Sequence, residues 1–303
     1  MDENTRLRHT EDMLDIRSDP VFKAVFTREC PESTGALSNL VSALIGREVT
    51  IVAILSNEPP IENIRDRQVR FDIKCRAKDG ELVNVEMCFN SHDFEPVRLE
   101  FHAAKLFIGQ DIKGKDKDFD DLKQAYQIGI LAKKPFFADK NYFHSFEYYD
   151  PVNQVSLGGR TRIITLELIK ADKIAEKPVD EMSVSERWAY FFEYLTDKKR
   201  RDKINELLKK EEGISMANQV LMTISRDERE RERLMQEERI LLDYYSGINY
   251  MKKKGLAEGI QIGTERGIQI GEQRGTKKRD KEILGLIKQG ISIEEIEQYL
   301  LRG

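Results

Sequence analysis

Cysteine and histidine are scarce in this chain, three and four respectively among 303 residues. Cys30, Cys75 and Cys88 show no metal-type spacing and form no disulfide framework. The four histidines are scattered, so there is no zinc pattern either. Long apolar runs are also missing. The opening stretch MDENTRLRHTEDMLD is polar throughout, and no segment suits a signal peptide or a membrane span, which points to a cytoplasmic protein without a membrane partner. Strong net charge is the third absence. Fifty Lys and Arg against 54 Asp and Glu leave −4. That excludes a globally basic nucleic-acid-binding protein but leaves room for a locally basic groove.

What is present is 40% hydrophobic and 34% charged residues, enough for a packed core beside a long, solvated helical part. The most informative stretch is RFDIKCRAKDGELVNVEMCFN, residues 70–90. Phe71, Ile73 and Cys75 alternate with Arg70, Asp72, Lys74 and Arg76, and Val83, Val85, Met87 and Phe89 alternate with Leu82, Asn84, Glu86 and Cys88. Both are period-2 strand patterns. Asp79-Gly80 between them signals a hairpin, because glycine accepts the positive φ that such turns demand. A three-residue loop, 78–80, pairs Asp72 with Glu86. A two-residue loop would instead set Asp72 against Met87 and turn the two acids to opposite faces. The first is preferred because it leaves one continuous apolar face. Two opposed carboxylates, roughly 5 Å apart at Cβ, are destabilising unless neutralised. A divalent cation is the natural neutraliser, and Mg²⁺ or Mn²⁺ suits carboxylate oxygens.

In chain order, residues 1–17 form an arm. Ser18-Asp19-Pro20 starts a helix in which Phe22, Val25 and Phe26 make the apolar stripe and Asp19 and Lys23 lie four apart. A second helix begins near Ser33 and ends at Gly46. A buried strand is expected over 49–55, broken at 57–60, then the hairpin from Asp66. A helix over 95–112 follows, with Val97, Phe101, Ala104, Leu106 and Phe107 mostly inward. Further strands are expected over 125–131, 143–149 and 163–168. This order fits an α/β fold, a mixed sheet with helices packed on it. From Ala171 the composition turns helical: 173–250 is a helical region, in which the densely charged run 226–238 reads as a solvated helix face. Residues 251–303 hold a repeat, GIQIGTER then GIQIGEQR, with Gly255, Gly259, Gly263, Gly267, Gly271 and Gly275 four apart. Helical glycine costs about 1 kcal/mol relative to alanine, so such a helix needs another backbone against the glycine row. That favours a homo-oligomer joined through the C-terminal region. Two short helices, 282–288 and 292–301, end the chain as a hairpin, the second opened by a Ser292–Glu295 capping box.

Four segments together, DPVFKAVF (19–26), RQVRFDI (67–73), DGELVNVEMC (79–88) and RLEFHAAKL (98–106), resemble the PD-(D/E)XK nuclease family of transposases, the recombination-promoting nucleases. The resemblance covers roughly residues 15–170, making 18–172 the nuclease-like core, and extends to the glycine-repeat tail. It implies a restriction-endonuclease-like sheet and a metal-dependent DNA endonuclease linked to recombination, with DNA as partner. It places Asp72 and Glu86 as metal-binding acids, with the Met87 carbonyl completing the set, and it makes Asp19 and Lys23 the leading motif. One departure matters. Where the family carries glutamine, or lysine in the wider superfamily, this chain has Cys88, whose thiol is a poor donor and uncharged at neutral pH.

Each residue also has a plainer reading: Asp72 and Glu86 as a polar strand face, Asp19 as an N-cap, Lys23 as an exposed helix lysine, Cys88 as a small buried hydrophobe. Arg98 and Gln110 are candidates for the DNA backbone or for a solvated face. Beside an active endonuclease stand a catalytically weakened relative kept for DNA binding and a scaffold organised by the helical tail.

Overall fold

The computed structural model describes residue 7 and residues 12–56, 70–89, 93–110, 112 and 118–301. Expectations for most of the N-terminal arm, the break at 57–60, the run 66–69 that leads into the hairpin, Asn90 and the loop around 114–117 lie outside the described residues. The main elements in order are α1 (Asp19–Thr27), α2 (Pro31–Ile45), β1 (Ile51–Ile54), β2 (Ile73–Ala77), β3 (Leu82–Cys88), α3 (Glu95–Ile108) and β4 (Ala125–Leu131). They continue with β5 (Phe143–Phe146), β6 (Tyr149–Asp150), β7 (Val155–Ser156), β8 (Thr161–Glu167), α4 (Asp172–Ala175), α5 (Val184–Tyr194) and α6 (Arg201–Lys210). Helices α7 (Glu212–Arg226), α8 (Glu228–Lys288) and α9 (Ile293–Leu301) end the chain.

Six strands form one mixed sheet in the order β1-β2-β3-β4-β8-β5. The first three are antiparallel neighbours, β3-β4 and β4-β8 are parallel, and β5 closes the far edge antiparallel to β8. The parallel pairs demand crossovers, and α3 supplies the one between β3 and β4. Strands β3 and β4 are buried on both faces, as central strands are. One face carries the main core, where Phe22 and Phe26 of α1 and Leu37 and Leu40 of α2 meet Val83, Val85, Ile128 and Ile164. Trp188 and Phe192 of α5 and Leu221 of α7 complete it. Helices α5, α6 and α7 therefore share the core of the sheet. The other face lies under α3, with Phe71, Leu82, Leu106 and Ala125 in one cluster and Cys88, Leu99 and Leu131 in another.

Several local expectations change. β1 is an edge strand with Val52 and Ile54 exposed, because it pairs on one side only. Phe71 leaves the alternation of Ile73 and Cys75 and joins the α3 face, since β2 begins two residues after it. Helix α3 is turned from the expected face: Glu95, Leu99, His102, Ala103 and Leu106 are buried, while Val97 and Phe101 are exposed. Ser18 precedes α1, but its hydroxyl makes no capping bond.

Helices α2 and α7 pack closely through glycine. A Cβ at Gly213 would overlap the Asn39 side chain, and Asn39 is itself fixed: its carbonyl accepts from Trp188 Nε1 at 2.8 Å and its amide donates to Glu211 at 2.9 Å.

The chain divides into two compact units, Met1–Glu238 and Arg239–Gly303. In the first, the opening turns of α8 bury Leu234 and bring Glu230 to Arg28 at 3.0 Å. The second contains the rest of α8 and α9. Helix α8 runs unbroken through all six glycines of the repeat and through 282–288, where a separate short helix was expected. It ends before Gly290, which has φ +80°, and the Ser292–Glu295 capping box opens α9. No helix among the described residues is long and apolar enough to cross a membrane.

Because Asn39 cannot move without breaking two partly buried bonds, Gly213→Ala should destabilise the first unit by about 2–3 kcal/mol, lowering its thermal midpoint by about 5–10 °C. An unchanged midpoint in differential scanning calorimetry would show that the α2–α7 contact is looser than described.

Candidate functional site

The site begins where β2 and β3 part. The turn is the three-residue form: Gly80 has φ +89°, and Ala77 N–H donates to the Glu81 carbonyl at 2.9 Å. The register then runs Arg76–Leu82, Cys75–Val83, Lys74–Asn84 and Ile73–Val85, and one further step of it would set Asp72 against Glu86. The ladder stops there. The next inward-pointing amide, that of Met87, would meet the Phe71 carbonyl in a continued ladder. It donates instead to Asp72 Oδ2 at 3.1 Å. A carboxylate thus ends the strand pair by taking over a backbone bond. The Met87 carbonyl points to the same opening as its amide and accepts from Phe89 N–H at 3.2 Å.

Helix α1 closes one side of this opening. Lys23 Nζ lies 3.0 Å from Asp72 Oδ1 and 2.9 Å from Asp19 Oδ2, so one ammonium bridges both acids. The i,i+4 spacing of Asp19 and Lys23 on α1 aims the lysine at the fork, and the buried Phe22 and Phe26 anchor the helix beneath it. Lys23 is therefore not a free surface lysine. Burial, followed by the charge of Asp19, pushes the Asp72 carboxyl up to about 7 from its ordinary 3.8, against the pull of Lys23 and with a smaller push from Glu86.

Glu86 sits on the α3 side of the sheet with no exposure at all. Asn84 Nδ2 donates to Glu86 Oε1 at 2.8 Å and to Gln127 Oε1 at 2.8 Å. His102 Nδ1 meets the same Glu86 oxygen, and Arg98 Nη2 lies 3.2 Å from Oε2. Burial alone would raise this acid. The His102 hydrogen bond, the Arg98 charge and the Asn84 amide outweigh it and hold Glu86 below the ordinary glutamate value. Gly129 makes this approach possible. It pairs with Glu86 across the sheet, and a Cβ there would stand 2.9 Å from Leu99 Cδ1. Its bare backbone lets α3 settle far enough for Arg98 and His102 to reach the strand.

Cys88 faces the same side as Glu86, and its thiol accepts from Arg98 Nη2 at 3.2 Å. Burial pushes its pKa well above the ordinary thiol value, so it carries no charge at neutral pH. Arg98 is turned inward and ion-paired to Glu95 and Glu86. Gln110 exchanges two backbone bonds with Lys123, at 2.9 and 2.8 Å, and so acts as a structural clamp. Asn84, Gln127 and His102 were not anticipated from sequence. The spacing of Glu95, Arg98 and His102, one face of a helix, was the available signal.

Among the described residues no group of three or more His, Cys, Asp or Glu side chains is placed to hold a metal ion. The donor chemistry nonetheless fits a hard cation. Mg²⁺ is commonly held by one or two carboxylates, with waters and substrate oxygens filling the rest. Asp72, Glu86 and the Met87 carbonyl are oxygen donors of the kind such an ion accepts, although Asp72 is engaged from the α1 side by Lys23 and Glu86 from the α3 side by Arg98 and His102.

The raised Asp72 carboxyl has a consequence for stability. A native state that holds this proton more tightly than the unfolded chain is favoured below the ordinary value of 3.8, and that contribution is lost as pH rises through about 7. Asp72→Asn keeps an acceptor for Met87 and removes the charge. In chelator it should therefore be more stable than wild type at pH 8, and the gain should vanish near pH 4. A gain independent of pH in thermal denaturation would contradict this account.

The family described as PD-(D/E)XK nuclease family transposase matches residues 16–251, and the chain belongs to it. No curated protein and no solved structure matches the chain.

Proposed function

We propose that this member of the PD-(D/E)XK nuclease family transposases is a cytoplasmic metal-dependent DNA endonuclease that hydrolyses phosphodiester bonds in DNA recombination. The observation that carries the reading is the fork itself. Where β2 leaves β3, Asp72 accepts the Met87 amide and pairs with Lys23, and Glu86 directly precedes Met87 on β3. Asp72, Glu86 and the Met87 carbonyl would hold Mg²⁺ or Mn²⁺. When bound, such an ion polarises a phosphoryl oxygen and lowers the pKa of a coordinated water.

The chain's own groups divide the remaining work. Lys23 neutralises Asp72 and Asp19 and is the cation nearest the fork on the α1 side. Asp19 aims Lys23. Asn84 and His102 fix the orientation of Glu86 through Oε1, and Oε2 faces Arg98. Cys88 is a neutral spacer and not a nucleophile. A second reading, a weakened nuclease kept for DNA binding or assembly, is favoured by Cys88 alone.

Wild-type protein should nick supercoiled plasmid in Mg²⁺ or Mn²⁺ and stop in chelator. Asp72→Ala and Glu86→Ala should each lose at least about 100-fold, more than supporting residues of metal sites typically cost. Wild-type protein that binds DNA in low salt yet never nicks it, even in Mn²⁺, would establish the second reading instead.

The glycine row supports a further part of the proposal, a homo-oligomer. Six helical glycines at about 1 kcal/mol each relative to alanine are a heavy load for a helix, and apart from the helix's own neighbouring backbone nothing among the described residues lies within 4 Å of a Cβ built at any of them. Exposed Ile260, Ile262, Ile268 and Ile270 flank the row. A second copy of this helix would cover it. Gly263→Leu with Gly267→Leu should shift the sedimenting species to the monomer; an unaltered oligomer would remove the glycine row from the interface.

A further inference from the structure

We infer that Arg98 supplies, from helix α3, the positive charge that position 88 lacks. The assignment rests on the nuclease reading above and names a residue for that reaction. In phosphodiester hydrolysis negative charge accumulates on phosphoryl and leaving oxygens, so a site built of carboxylates needs a preorganised cation or donor beside the metal ligands. On β3 the residue two past Glu86 faces the same way as Glu86. That residue is Cys88, whose thiol brings no charge.

The guanidinium of Arg98 occupies the missing place. Its Nη2 is 3.2 Å from Cys88 Sγ and 3.2 Å from Glu86 Oε2. A longer side chain at 88 and this guanidinium would compete for one volume, so the short thiol and the arginine act as a matched pair. Glu95 holds the guanidinium through Nε and Nη2, and Leu99 on bare Gly129 sets the height of the helix that carries it.

Two features separate this role from simple neutralisation of Glu86. Glu86 Oε1 already receives Asn84 and His102, and Oε2 accepts no hydrogen bond despite the nearby guanidinium. Arg98 is therefore held in orientation by Glu95 and Cys88 as well as by its ion pair with Glu86. Moreover, a third of its side chain is exposed while Glu86 is fully buried. A dedicated buried counter-ion would share that burial. An arginine meant for a phosphate must keep one side open.

The test relocates the charge. Arg98→Met should cut nicking at least about 100-fold, the usual loss for one transition-state donor. DNA affinity in Ca²⁺, read by fluorescence anisotropy, should stay near wild type, while the thermal midpoint should fall because the buried Glu86 loses an ion-pair partner. Arg98→Met with Cys88→Lys should regain at least about tenfold over the single variant, because the cation returns from the strand. Cys88→Gln alone should gain less than about threefold, since the site already holds its cation. Where Arg98→Met does not fold, Arg98→Gln takes its place.

Full nicking by Arg98→Met overturns the assignment. So does a folded, DNA-binding double variant that stays at the level of the single one, or a large gain from Cys88→Gln. Wild-type protein that never nicks overturns the nuclease reading itself, and this assignment with it; the other results leave that reading standing.

Discussion

A carboxylate with no access to water, Glu86, sets the architecture of this protein's α3 face. A buried acid without partners is strongly disfavoured in its charged form. Its neighbours therefore have to be polar and have to come close. Asn84 is two residues away on the same strand, Gln127 is on the adjoining strand, and His102 and Arg98 come from α3. To deliver those two, α3 must present Glu95, Arg98 and His102 to the sheet and leave Val97 and Phe101 in solvent. Gly129 is small for the same reason. The helix thus departs from simple amphipathic logic because one ionised group overrides the hydrophobic preference of its apolar side chains.

That override marks where the sequence is legible and where it is not. The hairpin register can be read from Asp79-Gly80 and the alternation beside it, because turn chemistry and period-2 patterning are local. Helices α1 and α2 and strand β4 are legible for the same reason, and the four motif segments point to the family. The inward face of α3 is not legible from hydrophobicity, since it depends on Glu86, which lies well upstream across a loop. The departure of Phe71 is equally hidden: it follows from the ladder ending at Ile73, which Asp72 brings about by accepting the Met87 amide. The full length of α8 is hidden at its end, where Lys277-Lys278-Arg279 suggests a break before Glu282 that the helix does not make.

The two acids of the fork are compensated in different ways, and the difference orders the site. Glu86 is held by groups from β3 and α3 that are themselves buried or doubly paired, so its position is close to invariant. Asp72 is held by one backbone amide and one ammonium, and that ammonium is shared with Asp19. Burial outweighs the lysine and leaves Asp72 raised to about 7, whereas the three donors on Glu86 overcome burial and leave it lowered. One carboxylate is a fixed anion and its neighbour is a poised one. An incoming cation would meet Arg98 beside the first and would have to displace a proton or Lys23 to gain the second. The leading helix, carrying Asp19 and Lys23, is therefore the part of the fork whose electrostatics can change while the sheet beneath it stays still.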